Sequence, residues 1–385
     1  MKKVFCKKVS VVITMALVLI LIMTSFSGIV QVHAASKMVR VSTEKALNKA
    51  VKDKSVTSII FRTKAYINVT IKANKAASSK DLTIDAPNAD ITNKSVFSGI
   101  FLESSGNYVE NASGNTFEIY DDYAVKGFTV EKKKTVKAIT FYNPSQNIDR
   151  FYTIRKDAKI EKIDLIYSDG GNVSYGVYNE QTRTIEFNYV NKYDTDISLT
   201  YTFDNSGRVL NFKNHHPEFG CEYSYEYDAN GNMIKESFSD LVGVGYNTYE
   251  YTSDFKLAKV TYVSEMEQGV VNYNYDKKGN LISLERYNED TGESKIETEY
   301  TYDKKGRMLT CTEKYTGTTV IKYKYNKKGF LTSYSYQSKG GVVTEYKYSA
   351  TYKYNKNGDM IKETINENGR KTVNKYSFDE YGYRN

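Results

Sequence analysis

The chain has 385 residues, with 36 tyrosines, no tryptophan, three each of proline, cysteine and histidine, and a formal net charge of +8. So few histidines leave little for acid–base or metal chemistry, and three cysteines exclude a fold framed by disulfides. Lysines and glutamates are interspersed, with no basic block of the kind that follows a nucleic-acid backbone, so nucleic acid is not an expected partner.

Residues 1–34 read as an export signal. Lys2, Lys3, Lys7 and Lys8 precede an apolar run from Val9 to Met23 interrupted only by Ser10 and Thr14, and Val32 and Ala34 supply the small residues a signal peptidase reads. The run is shorter than the roughly 20 residues of a spanning helix. Cleavage is therefore expected after Ala34, with Ala35 as the alternative. Cys6 lies before the apolar run and is not placed for lipid attachment. Cleavage removes four lysines and no acid, which lowers the formal charge from +8 to +4. With no second long apolar segment, the expectation is a secreted or cell-surface protein, held non-covalently if at all and free of the membrane once cleaved. Cys221 and Cys311 remain, and the sequence leaves their pairing open, as it does the oligomeric state.

Residues 35–150 form a distinct N-terminal region. Ala46, Leu47, Ala50 and Val51 recur at helical spacing behind a Ser42 or Thr43 cap, which predicts a short helix over Ser42–Lys54. Short alternating runs succeed it at Ser58–Phe61, Tyr66–Ile71, Leu82–Ile84, Ala89–Thr92, Ser95–Leu102, Thr116–Tyr120, Gly127–Glu131 and Lys137–Tyr142. A helix followed by such runs resembles the capping helix and first coils of a right-handed β-helix of the pectate-lyase-like kind. Evenly spaced short strands equally suit a small sandwich. Residues 151–200 continue the strand pattern and are expected to bridge to the C-terminal half, with Pro144 and Pro217 near the junctions.

From residue 201 one unit recurs: Tyr-x-aromatic, Asp or Asn, two residues, Gly, one residue, apolar. Its first aromatic, second aromatic and glycine are Tyr201, Phe203 and Gly207, then Tyr225, Tyr227 and Gly231. They continue as Tyr273, Tyr275 and Gly279, then Tyr300, Tyr302 and Gly306. Tyr323, Tyr325 and Gly329 come next, then Tyr352, Tyr354 and Gly358, and finally Tyr376, Phe378 and Gly382. A degenerate copy keeps Tyr249 and Tyr251 but has Thr252 for the acid and Phe255 for the glycine. The second aromatics stand at 203, 227, 251, 275, 302, 325, 354 and 378, a period of 24 with small insertions, which marks a repeat architecture.

Each position has a physical task. Tyr-x-Tyr puts both rings on one strand face, and the polar residue between them faces water. Asp or Asn opens a turn, Gly supplies positive φ for a short hairpin loop, and the apolar residue starts the return strand. The expected fold is all-β: a short β-helix-like or small β region, then a hairpin array forming a twisted, open sheet.

The unit resembles the YD repeat of Rhs-type and wall-associated bacterial surface proteins over roughly residues 200–385, with a weak copy at Tyr178-Asn179. The resemblance implies hairpin arrays coiling into a spiralling sheet and a link to carbohydrate and cell-surface binding. Large members close that sheet around a C-terminal toxin. These copies are too few to close a shell, so toxin delivery is not carried over. Choline- and glucan-binding repeats are similar in their aromatic-Asp-x-x-Gly core but have adjacent aromatics, Trp and a shorter period.

For catalysis, Asp81, Asp85 and Asp90 are the acids a β-helix lyase would use to hold Ca²⁺, set against their ordinary role at strand edges and turns. No cluster of acids with Arg on successive coils is evident. His215 and His216 are neighbours that point to opposite strand faces, a poor acid–base or metal pair. The repeated turn acids are replaced by Asn in two copies, a swap that costs a Ca²⁺ site charge but leaves a turn unchanged. No catalytic residue, metal or cofactor is assigned. The tyrosine ladder suits the sheet's own packing face better than sugar stacking, which leaves a glycan to loops such as Ser239–Tyr246 or Gln337–Val343. The expectation is a non-catalytic binding protein for a carbohydrate or envelope polymer. A structural spacer is the alternative, and a polysaccharide lyase the remote one.

Overall fold

Strand pairing in the computed structural model divides the chain near residue 170. The structure describes residues 37–385 except 145–147, 170–171, 191–195, 217, 219, 242, 266, 289–291, 315–316, 341–342, 381–383 and 385. The expected export signal and Gly382 therefore lie outside the described residues. Among the described residues no helix is long and apolar enough to cross a membrane.

Before the division the strands pair in parallel. Met38–Val41, Ser58–Arg62, Asp81–Ala86, Gly99–Glu110, Thr116–Ile119, Ala138–Tyr142 and Ile163–Asp169 neighbour one another in sequence order. A second parallel set holds Ile67–Ile71, Ala89–Asn93, the end of Gly99–Glu110, Val125–Val130 and Tyr152–Ile154. A third holds Thr135–Val136 and Lys159–Ile160. Each turn of chain lies on the turn before it, so this region is a stack of parallel coils rather than a sandwich. Every second residue points inward, as in Asp81–Ala86, where Leu82, Ile84 and Ala86 are buried.

The helix runs Glu44–Lys52, capped by Thr43 Oγ1 accepting from the Ala46 N–H at 3.2 Å, and it buries Leu47, Ala50 and Val51. One strand is longer than the alternation predicts, at Gly99–Glu110. It passes from the first sheet to the second at Gly106, where a Cβ would stand 2.6 Å from Asp90 Oδ1 and 2.8 Å from the Ala89 carbonyl oxygen. Only glycine lets the backbones approach so closely at that corner.

The stack's interior is aromatic beside a polar knot. Tyr108 and Phe128 stack at 5.4 Å, with Phe117 edge-on to Phe128 at 5.0 Å. Next to them the buried Glu110 carboxylate accepts from Asn93 Nδ2 (3.0 Å), Asn115 Nδ2 (3.1 Å), the Tyr108 hydroxyl (3.2 Å) and the Ala112 N–H (2.6 Å). Burial outweighs these donors and pushes Glu110 up to about 7.

From Val177–Asn179 to Arg370–Lys375 the chain forms one 17-stranded sheet in which each strand pairs antiparallel with its sequence neighbours, and the sheet stays open. The region 151–200 contributes to both parts. Its strands Tyr152–Ile154 and Ile163–Asp169 belong to the coils, while Thr184–Val190 and Asp196–Phe203 belong to the sheet. One apolar core runs through the stack into Ile185, Phe187, Leu199, Tyr201 and Phe212 of the first hairpins.

The hairpin turns meet the coil stack in reverse order. The first turn receives the Ile160 N–H on the Ser206 carbonyl (3.0 Å) and the Tyr152 hydroxyl on the Gly207 carbonyl (2.9 Å). The second places Gly231 against the Ile154 carbonyl, with Arg155 donating to Asn232. Near the other end the Tyr66 N–H donates to the Gly329 carbonyl at 2.9 Å and Tyr66 packs edge-on against Tyr325 at 5.0 Å. Arg40 then forms a buried ion pair with Asp359. Early copies meet late coils, and late copies meet early ones.

The seam and the buried acid are both open to measurement. Gly231 and Gly369 both have positive φ, 84° and 92°, but only Gly231 is pressed on the stack. Gly369→Ala should cost about 1 kcal/mol from backbone strain alone, and Gly231→Ala at least about twice that. Chemical denaturation measures both, and equal losses would contradict the seam contact. For Glu110, the folded state binds its proton more tightly than the unfolded state. Its contribution is therefore present below pH about 4.5 and is lost as pH rises through about 7. The wild-type minus Glu110→Gln stability difference should fall by up to about 3 kcal/mol between those pH values; a flat difference would mean the carboxylate is ionised throughout.

Candidate binding surface

Among the described residues, the six copies opened by Asp204, Asp228, Asp276, Asp303, Asn326 and Asn355 use the same turn. Asp204, Asp228, Asp276 and Asp303 each accept on Oδ1 from the N–H groups two and four residues on, as in Asp276 with Lys278 (2.8 Å) and Asn280 (2.9 Å). The glycine N–H returns to the acid's own carbonyl, as Gly279 does to Asp276 at 2.9 Å. Gly207, Gly231, Gly279, Gly306, Gly329 and Gly358 have φ between 77° and 94°, and the register shifts just before the second aromatic. This is a type I turn closed by a left-handed residue and a bulge, a standard short hairpin connection.

A residue outside the recurring motif completes the turn. The position after the glycine donates to the acid's second oxygen: Arg208 Nε (2.6 Å), Asn232 Nδ2 (2.8 Å), Asn280 Nδ2 (2.8 Å) and Arg307 Nε (2.6 Å). In the seventh copy the pair is inverted, Asn355 Nδ2 donating to Asp359 at 2.9 Å. Arg208 and Arg307 also lie over the next copy's second ring, Tyr227 and Tyr325, at 4.7 Å each. The signal was in the sequence, since that position is polar in all but the copies with Phe330 and Tyr383.

The rings form a packing face. Tyr201, Phe203 and Tyr225 are buried, and Tyr227, Tyr273, Tyr275, Tyr300, Tyr302, Tyr323, Tyr325, Tyr352 and Tyr354 are half-buried. Second tyrosines reach back to the preceding copy's return strand: Tyr227 to the Val209 carbonyl (2.7 Å), Tyr251 to Met233 (2.8 Å) and Tyr275 to Leu257 (2.7 Å). The degenerate turn keeps the geometry with Phe255 at φ 64°. Lys132 and Arg155 of the coil stack lie over its ring at 4.8 and 4.6 Å. A glycine there would relieve the backbone and lose that anchor.

Among the described residues, the most exposed aromatic side chains lie instead on and beside the coils. Tyr120 and Tyr142 stand on adjacent paired coils with rings parallel at 4.5 Å. Across the next strand, Ile166 aligns with Tyr142 and Tyr175 with Ile166. Tyr120 is 49% exposed, Tyr175 67% and nearby Tyr123 77%. The Tyr120 and Tyr142 hydroxyls converge on Glu118 Oε2 at 2.6 and 3.3 Å. Partial burial and that carboxylate push both phenols up, so they stay protonated donors. Parallel rings with a carboxylate at their rim offer stacking and hydrogen bonding together.

Other candidates are placed as follows. Asp81, Asp85 and Asp90 do not converge. Asp85 binds Arg62 Nε (2.8 Å) and Ser104 Oγ (2.7 Å), and Asp90 accepts from the Asn107 backbone N–H (2.8 Å). Successive coils do, however, bring Arg62, Asp85 and Glu103 together, with Arg62 3.4 Å from Glu103. The expectation that no acids gather with an Arg on successive coils is thereby corrected, since coil stacking makes a neighbourhood that local pattern does not show. Burial opposes the Asp85 charge, yet Lys64, Ser104 and Arg62 hold it below the usual range, while burial and Asp85 push Glu103 up. His215 Nε2 lies 3.2 Å from Thr200 Oγ1, and His216 Nδ1 accepts from the Glu218 N–H. Cys221 and Cys311 carry free thiols on strands well separated in the sheet. Among the described residues no three His, Cys, Asp or Glu side chains are grouped as a metal would need. Near the loop expected to hold a glycan, Lys322, Ser335, Gln337, Lys347, Ser349 and Asn366 line a groove of ≈ 450 Å³ on the polar face. The Ser239–Tyr246 loop carries exposed Leu241 and Val244.

No family model matches the chain, and no curated protein matches it. Among solved structures it is similar to the crystal structure of TcdB2-TccC3-Cdc42, with 14% identity and a TM-score of 0.40 over 54% of this chain and 12% of that one. It is also similar to TcdB2-TccC3 without the hypervariable C-terminal region (14%, TM-score 0.39, 55% of this chain, 12% of that one). For a Photorhabdus luminescens Tc holotoxin pore the figures are 11%, 0.23, 55% and 16%. The chain thus spans 12–16% of these three solved chains.

The hydroxyl link between copies gives a direct test. Tyr275→Phe should cost about 1 kcal/mol, the usual net worth of one hydrogen bond, whereas Tyr273→Phe should stay within about 0.5 kcal/mol. Thermal unfolding of both variants checks the difference.

Proposed function

We propose that the chain is an extracellular, non-catalytic binding protein of the YD-repeat kind that holds a carbohydrate or envelope polymer on the tyrosines of its coil stack. The observation that carries this reading is the row of exposed Tyr120, half-buried Tyr142 and exposed Tyr175 beside Glu118, where the repeat rings are buried or half-buried. A sugar presents an apolar C–H face to a ring and hydroxyls to a carboxylate, and this row offers both. The motif of the array supports the assignment to the YD-repeat kind: paired rings, a turn acid and a left-handed glycine at a 24-residue period. Arg62, the cation nearest to a lyase role, has its guanidinium buried and shared between Asp85 and Glu103, which favours a structural over a catalytic task.

Titration calorimetry of the purified chain with neutral and acidic cell-wall oligosaccharides tests the proposal. Replacing Tyr120, Tyr142 and Tyr175 by Ala one at a time should weaken binding roughly fivefold per ring, about 1 kcal/mol each, without shifting the unfolding midpoint. Binding unchanged in all three variants would remove the platform, and no binding of any glycan would remove the ligand class.

A further inference from the structure

The turn edge of the array is not uniform. The first three turns present Asn205 and Ser206, Ala229 and Asn230, and Ser253 and Asp254, and they face the coil stack. The later turns place lysine at the same two positions: Lys277 and Lys278, Lys304 and Lys305, Lys327 and Lys328, then Lys356 beside Asn357. All seven lysines are exposed. Among the described residues none of them stands within ion-pair distance of an acid. The carboxylates in these turns are committed elsewhere, Asp276 to Asn280 and Asp303 to Arg307, and Asn326 and Asn355 carry no charge.

Geometry turns these lysines into a row. Successive turns are separated by two strands, a step of about 10 Å. Lys305 Nζ reaches the Lys327 carbonyl of the next turn at 3.4 Å, so neighbouring turns lie side by side. A surface serving only solubility has no need of lysine at the same two positions of consecutive copies; the sixth and seventh turns also touch the first coils, through Gly329 on Tyr66 and Asp359 on Arg40, and still keep their lysines exposed. Lysine, a flexible point charge, suits a ligand read by charge spacing rather than by shape.

We propose that the turn edge of the fourth to seventh copies binds a linear polyanion laid across the strands, with its phosphate or carboxylate groups engaged turn by turn. This surface is separate from the tyrosine platform and does not depend on it. The contact is multivalent, so affinity rises with chain length until the ligand spans the four turns, about 30 Å, and falls steeply with salt.

The test measures binding of inorganic polyphosphate, tripolyphosphate and polygalacturonate to the purified chain between about 50 and about 300 mM salt. One variant changes Lys277, Lys278, Lys304 and Lys305 to Gln. A control changes the helix-region lysines Lys45, Lys49, Lys52 and Lys54 to Gln, giving the same loss of net charge. The row variant should lose at least tenfold in affinity for the long polymers and the control less than twofold, with tripolyphosphate far weaker than either polymer. A polyphosphate preference would indicate a phosphate polymer, and a polygalacturonate preference a uronate one. Equal loss in both variants would overturn the proposal, as would tripolyphosphate binding as tightly as the long chain. Absence of polyanion binding at low salt would also overturn it. Tighter binding of oligothymidylate at matched charge would replace it with a nucleic-acid surface. A Tyr120→Ala, Tyr142→Ala, Tyr175→Ala variant should keep full polyanion affinity, so the two surfaces stand or fall separately.

Discussion

A chain that reverses direction every dozen residues must satisfy its backbone at each reversal, and at every second reversal here one side chain does so. The Asp or Asn opening each turn collects two N–H groups on a single oxygen while its own carbonyl takes the N–H of the left-handed glycine. Its other oxygen holds the residue after the glycine, which in two copies also covers the following copy's ring. Turn geometry and copy-to-copy packing are thereby fixed by the same few atoms. Ring alignment, the wet opposite face and the even spacing of turns all depend on it, because a one-residue slip would move every ring to the other side of the sheet.

The degenerate third copy shows how the rule bends. Thr252 replaces the acid and accepts the Lys256 N–H at 3.0 Å, and Phe255 takes the left-handed conformation glycine would occupy. The strain, of order 1 kcal/mol, accompanies a ring held between two cations of the coil stack. A departure that reads in the sequence as decay is in the structure a fastening point.

Much of the array was legible because its determinants are local. Tyr-x-Tyr, the turn acid and the glycine lie within seven residues of one another, and their repetition removes ambiguity. The N-terminal region was legible as a capped helix and short strands, but the residue pattern alone left their assembly open, since period-two alternation is common to a sandwich and a coil stack and the choice lies in partners about twenty residues away. Gly99–Glu110 ran past its expected end because Gly106 turns a corner rather than ending a strand. The binding surface was least legible. Tyr120, Tyr142 and Tyr175 share no motif, and only strand pairing between distant segments brings them together, as it does Arg62, Asp85 and Glu103.

The two parts of the chain advance at different rates. Coils rise about 4.8 Å per turn of chain while hairpins advance about 10 Å each, so the sheet outruns the stack to which both its ends are tied. Between Phe255 and Gly329 the surplus has to be taken up by copies whose turns the stack does not hold. Gain or loss of a whole unit in that interval leaves both moorings where they are. The length of the unmoored stretch is thus open to change by duplication, while the terminal copies, bound to Ile154, Ile160, Tyr66 and Arg40, are not.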